Sequence, residues 1–271
     1  MERFVQVGGL RTRYFEEGSG PVVLLLHGAS LGSSADVWAG NLADLAAHGL
    51  RVIALDLPGF GMTENPSDHS VAFRTRFVVA FMDALGVERA HVVGHSQSGQ
   101  IAVRLGISQP KRVGKIVVLG TASMLPPLPH SAAGDAAEGD DGDTIEPDIH
   151  EVRRQLADTV FDHTRITADS VATRHRMSIG KNFAAFIARR AAKGREKKDK
   201  DAKPLWQRLD EVKVPMRLIY GRQDRSAERR AALAKQRYAS LDLHLIDRCR
   251  HMVQWDAPKA LASLVGEYLA G

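Results

Sequence analysis

Ser96 stands in the run Gly94-His95-Ser96-Gln97-Ser98-Gly99, directly after the apolar pair Val92-Val93. A serine hydroxyl is a weak nucleophile at neutral pH and needs a neighbouring base to take its proton. The pattern Gly-x-Ser-x-Gly, placed between a strand and a helix, forces the serine into a strained turn that exposes the hydroxyl, and only compact neighbours let the chain close so tightly. Ser98 replaces the second glycine here, and Gly99 follows at once. Two partners for such a hydroxyl lie downstream. Asp224 ends Gly221-Arg222-Gln223-Asp224 after the apolar run 215–220, and His251 ends Cys249-Arg250-His251 after 241–246. An imidazole can take the serine's proton, while a carboxylate fixes the imidazole tautomer and stabilises its charged form. Each residue has a plainer reading by itself: a helix cap for Ser96, a turn residue for Asp224, a core position for His251. Their chain order, Ser then Asp then His, and their shared position just past apolar runs favour a triad.

The elements that must position these groups are legible in the hydrophobic pattern. Residues 4–7 and 10–16 alternate around Gly8-Gly9, as a hairpin does. Residues 22–26, 52–56, 90–94, 113–119 and 215–220 are short apolar runs suited to strands covered on both faces. Helical spacing appears over 38–47, 73–85 and 101–105, and again at 261–269. Alternation of this kind predicts an α/β fold with a doubly wound, mostly parallel sheet. Ligands of such sheets sit at the carboxyl ends of the strands, where His27-Gly28-Ala29-Ser30 follows the first apolar run. Backbone N–H groups of Ala29 and Gln97, with Ser30 as a third donor, are the expected oxyanion hole. The rhythm breaks after Gly120. A Pro-containing stretch, an acidic run at 135–143, helical spacing over 149–160 and 171–187, and a charged run at 193–201 follow. Residues 122–204 are therefore expected to be a helical cap inserted into a core made of 1–121 and 205–271.

Composition narrows the function classes. A charge of +5 without clustered aromatics suits an anionic small molecule better than nucleic acid. Cys249 is the one cysteine, which excludes an intramolecular disulfide and fits a reducing cytoplasm. No apolar run has the length of a membrane span, and no leader is expected before Phe4. The histidines lack paired metal-ligand spacing, and the acidic run lacks the ordered spacing of a calcium loop, so neither metal nor cofactor is expected. A homo-oligomer is left open.

With these residues in view, the chain resembles the α/β-hydrolases, and more narrowly the meta-cleavage product hydrolases, which cut carbon–carbon bonds in ring-opened aromatic catabolites. The matching pieces are Gly20-Pro21-Val22-Val23-Leu24-Leu25-Leu26-His27-Gly28, Arg89-Ala90-His91-Val92-Val93-Gly94, Gly221-Arg222-Gln223-Asp224-Arg225 and His251-Met252-Val253-Gln254-Trp255. In the expected cap, Phe161-Asp162 and Ile166-Thr167 precede Arg174 as in that subfamily. The resemblance implies that Arg174 grips the substrate carboxylate or dienolate, that Trp255 lines the site, and that Ser96 and His251 act after the dienol substrate ketonises. His95, where the subfamily usually has asparagine, is expected to touch substrate. Ser98-Gly99, Met252 and the loop Ala29-Ser30-Leu31-Gly32-Ser33-Ser34 are further departures from the subfamily. The resemblance implies cleavage of a 2-hydroxy-6-oxo-dienoate. The alternatives are an ester, thioester or lactone hydrolase, a lyase or cofactor-free oxygenase on the same fold, and a small-ligand-binding protein that retains the pocket.

Overall fold

The unbroken apolar runs become the middle of a sheet, because a strand buried on both faces has no solvent side for polar residues. The computed structural model describes residues 1–129, 145–195 and 203–271. Its strands are β1 (Glu2–Val7), β2 (Leu10–Glu17), β3 (Val22–Leu26), β4 (Arg51–Leu55), β5 (Ala90–His95), β6 (Val113–Leu119), β7 (Met216–Gly221) and β8 (Leu243–Ile246). They form one sheet in the order β1-β2-β4-β3-β5-β6-β7-β8. β1 and β2 are antiparallel, joined through Gly8 and Gly9 at φ +55° and +84°; β2 is antiparallel to β4, and all other pairs are parallel. Along β3 the side chains alternate between two cores. Leu24 and Leu26 pack with Phe77, Phe81 and Ile101 on one face; Val23 and Leu25 pack with Trp38, Leu45 and Val265 on the other. The expected doubly wound sheet is therefore observed.

The helices are α1 (Leu42–Ala46), α2 (Val71–Ala84), α3 (Ser98–Ser108), α4 (Ile149–Thr159), α5 (Ala168–Arg176), α6 (Lys181–Arg195), α7 (Ala227–Arg237), α8 (Val253–Asp256) and α9 (Pro258–Ala270). Three differ from the sequence expectation. The helix expected over 38–47 is a 3-10 turn, Ala35–Trp38, followed by the short α1. Gly40 lies at the break, and Asn41 turns its side-chain amide to Gln254 O (3.1 Å). The helical spacing over 171–187 is split into α5 and α6 at Gly180, whose left-handed backbone (φ +58°) stops a helix. α7 carries alanines and Arg230 on its buried face, so it lacks the large apolar stripe that identifies a helix in sequence.

α4 to α6 stand between β6 and β7 in the chain. Val152, Leu156 and Val171 join the core that also holds Met252 and Val253. α6 is tied to the loop after β4: Asn182 donates to Gly61 O (3.0 Å), Lys181 to Thr63 O (2.7 Å) and Arg189 to Gly59 O (2.8 Å). The acidic run 135–143 and most of the charged run that follows α6 lie outside the described residues.

A buried ion pair closes the end of β4. Asp56 is fully buried and accepts from Arg13 Nε (2.6 Å), Ala35 N (2.6 Å) and Met62 N (2.7 Å). Arg13, 2 % exposed, also pairs with Asp36. A Cβ at Gly61 would lie 2.1 Å from Asp56 Oδ2, so the loop closes directly over the carboxylate. Removing Asp56 leaves the buried Arg13 guanidinium with only the less buried Asp36 and Glu2 to balance it. Asp56→Ala is expected to lower stability by about 3–5 kcal/mol, read as a fall in the urea midpoint.

Candidate active site

The neighbouring strands end level with one another. Leu26 is in register with Gly94, and His95 with Leu119, so the residues after β3, β5 and β6 emerge on one edge of the sheet. The order of strands also reverses between β3 and β5, which opens a crevice there.

Ser96 follows β5 with φ +54°, a left-handed conformation that costs a residue with a Cβ about 1–3 kcal/mol. Its surroundings hold it there. Ser96 N donates to Leu119 O (2.8 Å), and Ser96 O accepts from Thr121 Oγ1 (2.6 Å) and Gly99 N (3.0 Å). The two glycines are required by close approach: a Cβ at Gly94 would lie 2.4 Å from Ser98 O, and one at Gly99 2.1 Å from Thr121 Oγ1. Position 98 has room for more than hydrogen. Its hydroxyl donates to His27 O and ties the start of α3 to the loop after β3.

His251 Nδ1 and Asp224 Oδ2 are 2.9 Å apart. The imidazole donates to the carboxylate, which directs its other nitrogen, Nε2, away from Asp224. The loops that carry the pair touch each other. Gln223 N donates to Cys249 O (3.0 Å) and Cys249 N to Gln223 Oε1 (3.0 Å), while a Cβ at Gly221 would lie 2.2 Å from Arg250 O. Ser96, Asp224 and His251 all line one cavity of about 630 Å³, as do Ala29, Ser30 and Gln97. Gly28 passes so near Ser96 that a Cβ there would lie 3.1 Å from Ser96 Cβ.

His27 fixes the loop that carries Ala29 and Ser30. It is fully buried; its Nδ1–H donates to Gly28 O (2.6 Å) and its Nε2 accepts from Leu57 N (3.0 Å). Both bonds need the neutral ring, and burial pushes its pKa down to about 3.

Three residues expected to touch substrate are placed elsewhere, and the expectation is corrected for each. His95 precedes Ser96 on the strand and so points to the other side; it is 3 % exposed, outside the cavity lining, with Nε2 2.9 Å from His251 O. Trp255 is also outside the lining: its indole N–H donates to Val37 O (3.0 Å), fastening α8 to the 3-10 turn before α1. Arg174 does not line the cavity either. It donates to Ser30 Oγ (2.9 Å), packs against Gly32, and has no carboxylate within ion-pair distance among the described residues. Burial pushes its pKa down to about 10.

The cavity wall instead carries Arg74, Arg189, Arg190, Arg225, Arg230 and Arg250, against two lining carboxylates, Asp158 and Asp224. Arg74 is 4 % exposed and donates to Gln97 Oε1 (2.6 Å). Sequence reasoning missed it, yet a signal was present: Arg74 shares the buried stripe of α2 with Phe77, Val78 and Phe81, where an arginine has no packing reason to stand. Among the described residues there is no cluster of three metal-ligating side chains, and no helix is long and apolar enough to cross a membrane.

A family model described as the alpha/beta hydrolase family matches residues 23–264. The chain is 30% identical over 275 residues to a 2-hydroxy-6-oxononadienedioate/2-hydroxy-6-oxononatrienedioate hydrolase of Burkholderia vietnamiensis, covering 96% of this chain and 91% of that one. It is 29% identical over 272 residues to a 2-hydroxymuconate semialdehyde hydrolase of a Pseudomonas species, covering 99% and 93%. Among solved structures, the 2-hydroxy-6-oxo-6-phenylhexa-2,4-dienoate hydrolase of Rhodococcus sp. is similar in fold, with TM-score 0.80 at 22% identity, covering 100% of this chain and 99% of that one.

The neutral state of His27 links stability to pH. Its pKa is about 3 in the fold and 6.5 in the free side chain, so below 6.5 the unfolded chain takes up a proton that the folded chain refuses. The contribution is fully present above pH 6.5 and is lost as pH falls towards about 3. Between pH 7.5 and pH 5 the loss is about 2 kcal/mol. Urea unfolding at both pH values is expected to show a smaller drop for His27→Gln than for the wild-type chain.

Proposed function

The chain belongs to the alpha/beta hydrolase family, and from that premise we propose that it hydrolyses a carbon–carbon bond in a 2-hydroxy-6-oxo-dienoate, using Ser96, His251 and Asp224. The observation that carries this reading is the convergence of those three side chains on one cavity, with His251 held on Asp224 at 2.9 Å. The names of the relatives support the substrate class, and the arginine-rich wall supports a substrate that carries carboxylate.

The steps follow from the groups present. The dienol ketonises by moving its hydroxyl proton to the distal carbon of the diene. His251 then takes the Ser96 proton while Ser96 Oγ bonds to the C6 carbonyl carbon, and the oxyanion so formed is met by the N–H groups of Ala29 and Gln97. When the carbonyl reforms, the C5–C6 bond breaks with its electron pair on C5, which picks up the proton from His251. Water, activated by the same imidazole, releases the acyl group from Ser96. Asp224 balances the imidazolium at both stages. Residues 122–204 serve as the cap that keeps bulk water from the reaction, over a core of 1–121 and 205–271. Arg74 and Arg189 are the groups that hold the substrate's carboxylate, and Arg174 supports the oxyanion loop through Ser30. A cytosolic setting suits Cys249, a buried free thiol.

The fold does not choose the reaction, because the same architecture carries many chemistries. Incubation with 2-hydroxy-6-oxononadienedioate and with p-nitrophenyl acetate decides it. Loss of dienedioate absorbance with products split at C5–C6 is expected, abolished by about 10³-fold or more in Ser96→Ala. Brisk ester turnover with an untouched dienedioate gives the esterase reading instead. Arg74→Gln is expected to raise KM for the dienedioate by roughly 10- to 100-fold, with the change in KM for p-nitrophenyl acetate within about threefold, since only the former has a carboxylate to lose a charge-assisted bond.

A further inference from the structure

His95 ends β5, next to the nucleophile in the chain and outside the cavity. Its Nε2 is 2.9 Å from the main-chain oxygen of His251, and the two imidazole centroids are 4.9 Å apart at an interplanar angle of 52°. A carbonyl oxygen can only accept, so Nε2 carries the proton and Nδ1 the lone pair. We propose that His95 is a positioning residue for the reaction, holding the backbone of His251 through this bond so that its ring reaches Asp224 and Ser96 at once. The inference rests on the triad reading above.

The surroundings of His251 explain why such a hold is needed. It lies in a loop between β8 and α8, with no strand ladder to fix it, and Arg248 just before it is left-handed (φ +52°). The flanking residues have their own anchors: Arg250 N donates to Asp256 Oδ2 (2.8 Å) and Met252 N to Thr159 O (3.1 Å). The oxygen of His251 itself is held by His95. A tether from the last residue of the strand before Ser96 couples the base to the hydroxyl it must serve. Displacement of a reacting group by about 1 Å can cost 10²-fold in rate.

The surroundings of His95 on balance keep it neutral. The edge of Trp38 lies 6.5 Å away, centroid to centroid, and a Cβ at Gly28 would lie 3.3 Å from His95 Nδ1. Burial above all holds its pKa well below the ordinary histidine value, and the titratable and charged groups near it, His251, His27 and Arg174, add to that, against the opposite pull of the bond to the His251 carbonyl. The imidazolium that forms at His251 during turnover therefore has an uncharged neighbour.

The test uses His95→Gln, whose amide nitrogen can reach the His251 oxygen, and His95→Asn, one methylene too short, with His95→Leu as the non-polar control. Two readouts are taken on the intact protein: kcat and KM for 2-hydroxy-6-oxononadienedioate, and the downfield proton resonance of His251 Nδ1–H, assigned by its loss in His251→Ala. The expected result is Gln within about threefold of wild type in kcat and Asn and Leu down by roughly 10- to 100-fold, with KM unchanged throughout. The resonance is retained in Gln and lost or broadened in Asn and Leu. Equal kcat and an intact resonance in Gln and Asn overturn the inference, and that pair decides it even where Leu fails to fold. Full turnover by Ser96→Ala overturns the triad and the role of His95 with it, whereas a dead Ser96→Ala beside fully active His95 variants removes the positioning role alone.

Discussion

A serine with a side chain is held in a backbone conformation that favours glycine, and much of the molecule is arranged to keep it there. Left-handed φ at Ser96 turns the chain sharply from β5 into α3 and leaves the hydroxyl on the cavity side. The strain persists because the donors and acceptors around Ser96 are already committed: its N–H to β6, its oxygen to Thr121 and to the first turn of α3. Gly94 and Gly99 permit the approach, and Ser98 uses the remaining space to bind the neighbouring loop. One strained residue thus depends on two strands, a helix and two loops.

Loops at the carboxyl edge of the sheet have no ladder to hold them, and the protein fastens them with buried polar groups. His27 joins the loop after β3 to the one after β4; Asp56 gathers Arg13, Ala35 and Met62; Gln223 and Cys249 lock the loop after β7 to the one after β8. Two of these fasteners work only in one charge state. His27 must be neutral to accept from Leu57, and Asp56 must be ionised to balance Arg13. Burial has opposite consequences for the two. It favours the neutral imidazole outright, whereas it works against the charged carboxylate, which two backbone N–H groups and the Arg13 guanidinium favour.

The cavity draws its positive charge from helices and from strand-end loops alike. Arg74 comes from α2, Arg189 and Arg190 from α6 and Arg230 from α7, while Arg225 and Arg250 stand in the loops after β7 and β8; of the two lining carboxylates, Asp158 belongs to α4 and Asp224 to the loop after β7. In the proposed reaction this charge serves the anionic end of the substrate, with its uncharged carbonyl at Ser96.

The sequence by itself determined the parallel sheet, the elbow and the order of Ser96, Asp224 and His251, because these are local: an apolar run of strand length is buried on both faces wherever it lies, and a compact turn needs compact residues. It also placed helical spacing correctly over α2 and α9, where large apolar residues recur along one face. Helices with a weak stripe escaped it, as α7 did, and a glycine in the left-handed region divided α5 from α6 where periodicity ran on. The direction of a polar side chain was decided only by the tertiary structure. Arg174, Trp255 and His95 have the right types for a substrate pocket, yet Ser30, Val37 and the His251 carbonyl take their hydrogen bonds. Arg74, by contrast, looks misplaced on an apolar stripe until α2 is seen to border the cavity. Hydrogen-bond partners far apart in the chain are chosen by how elements pack, and no local pattern records that choice.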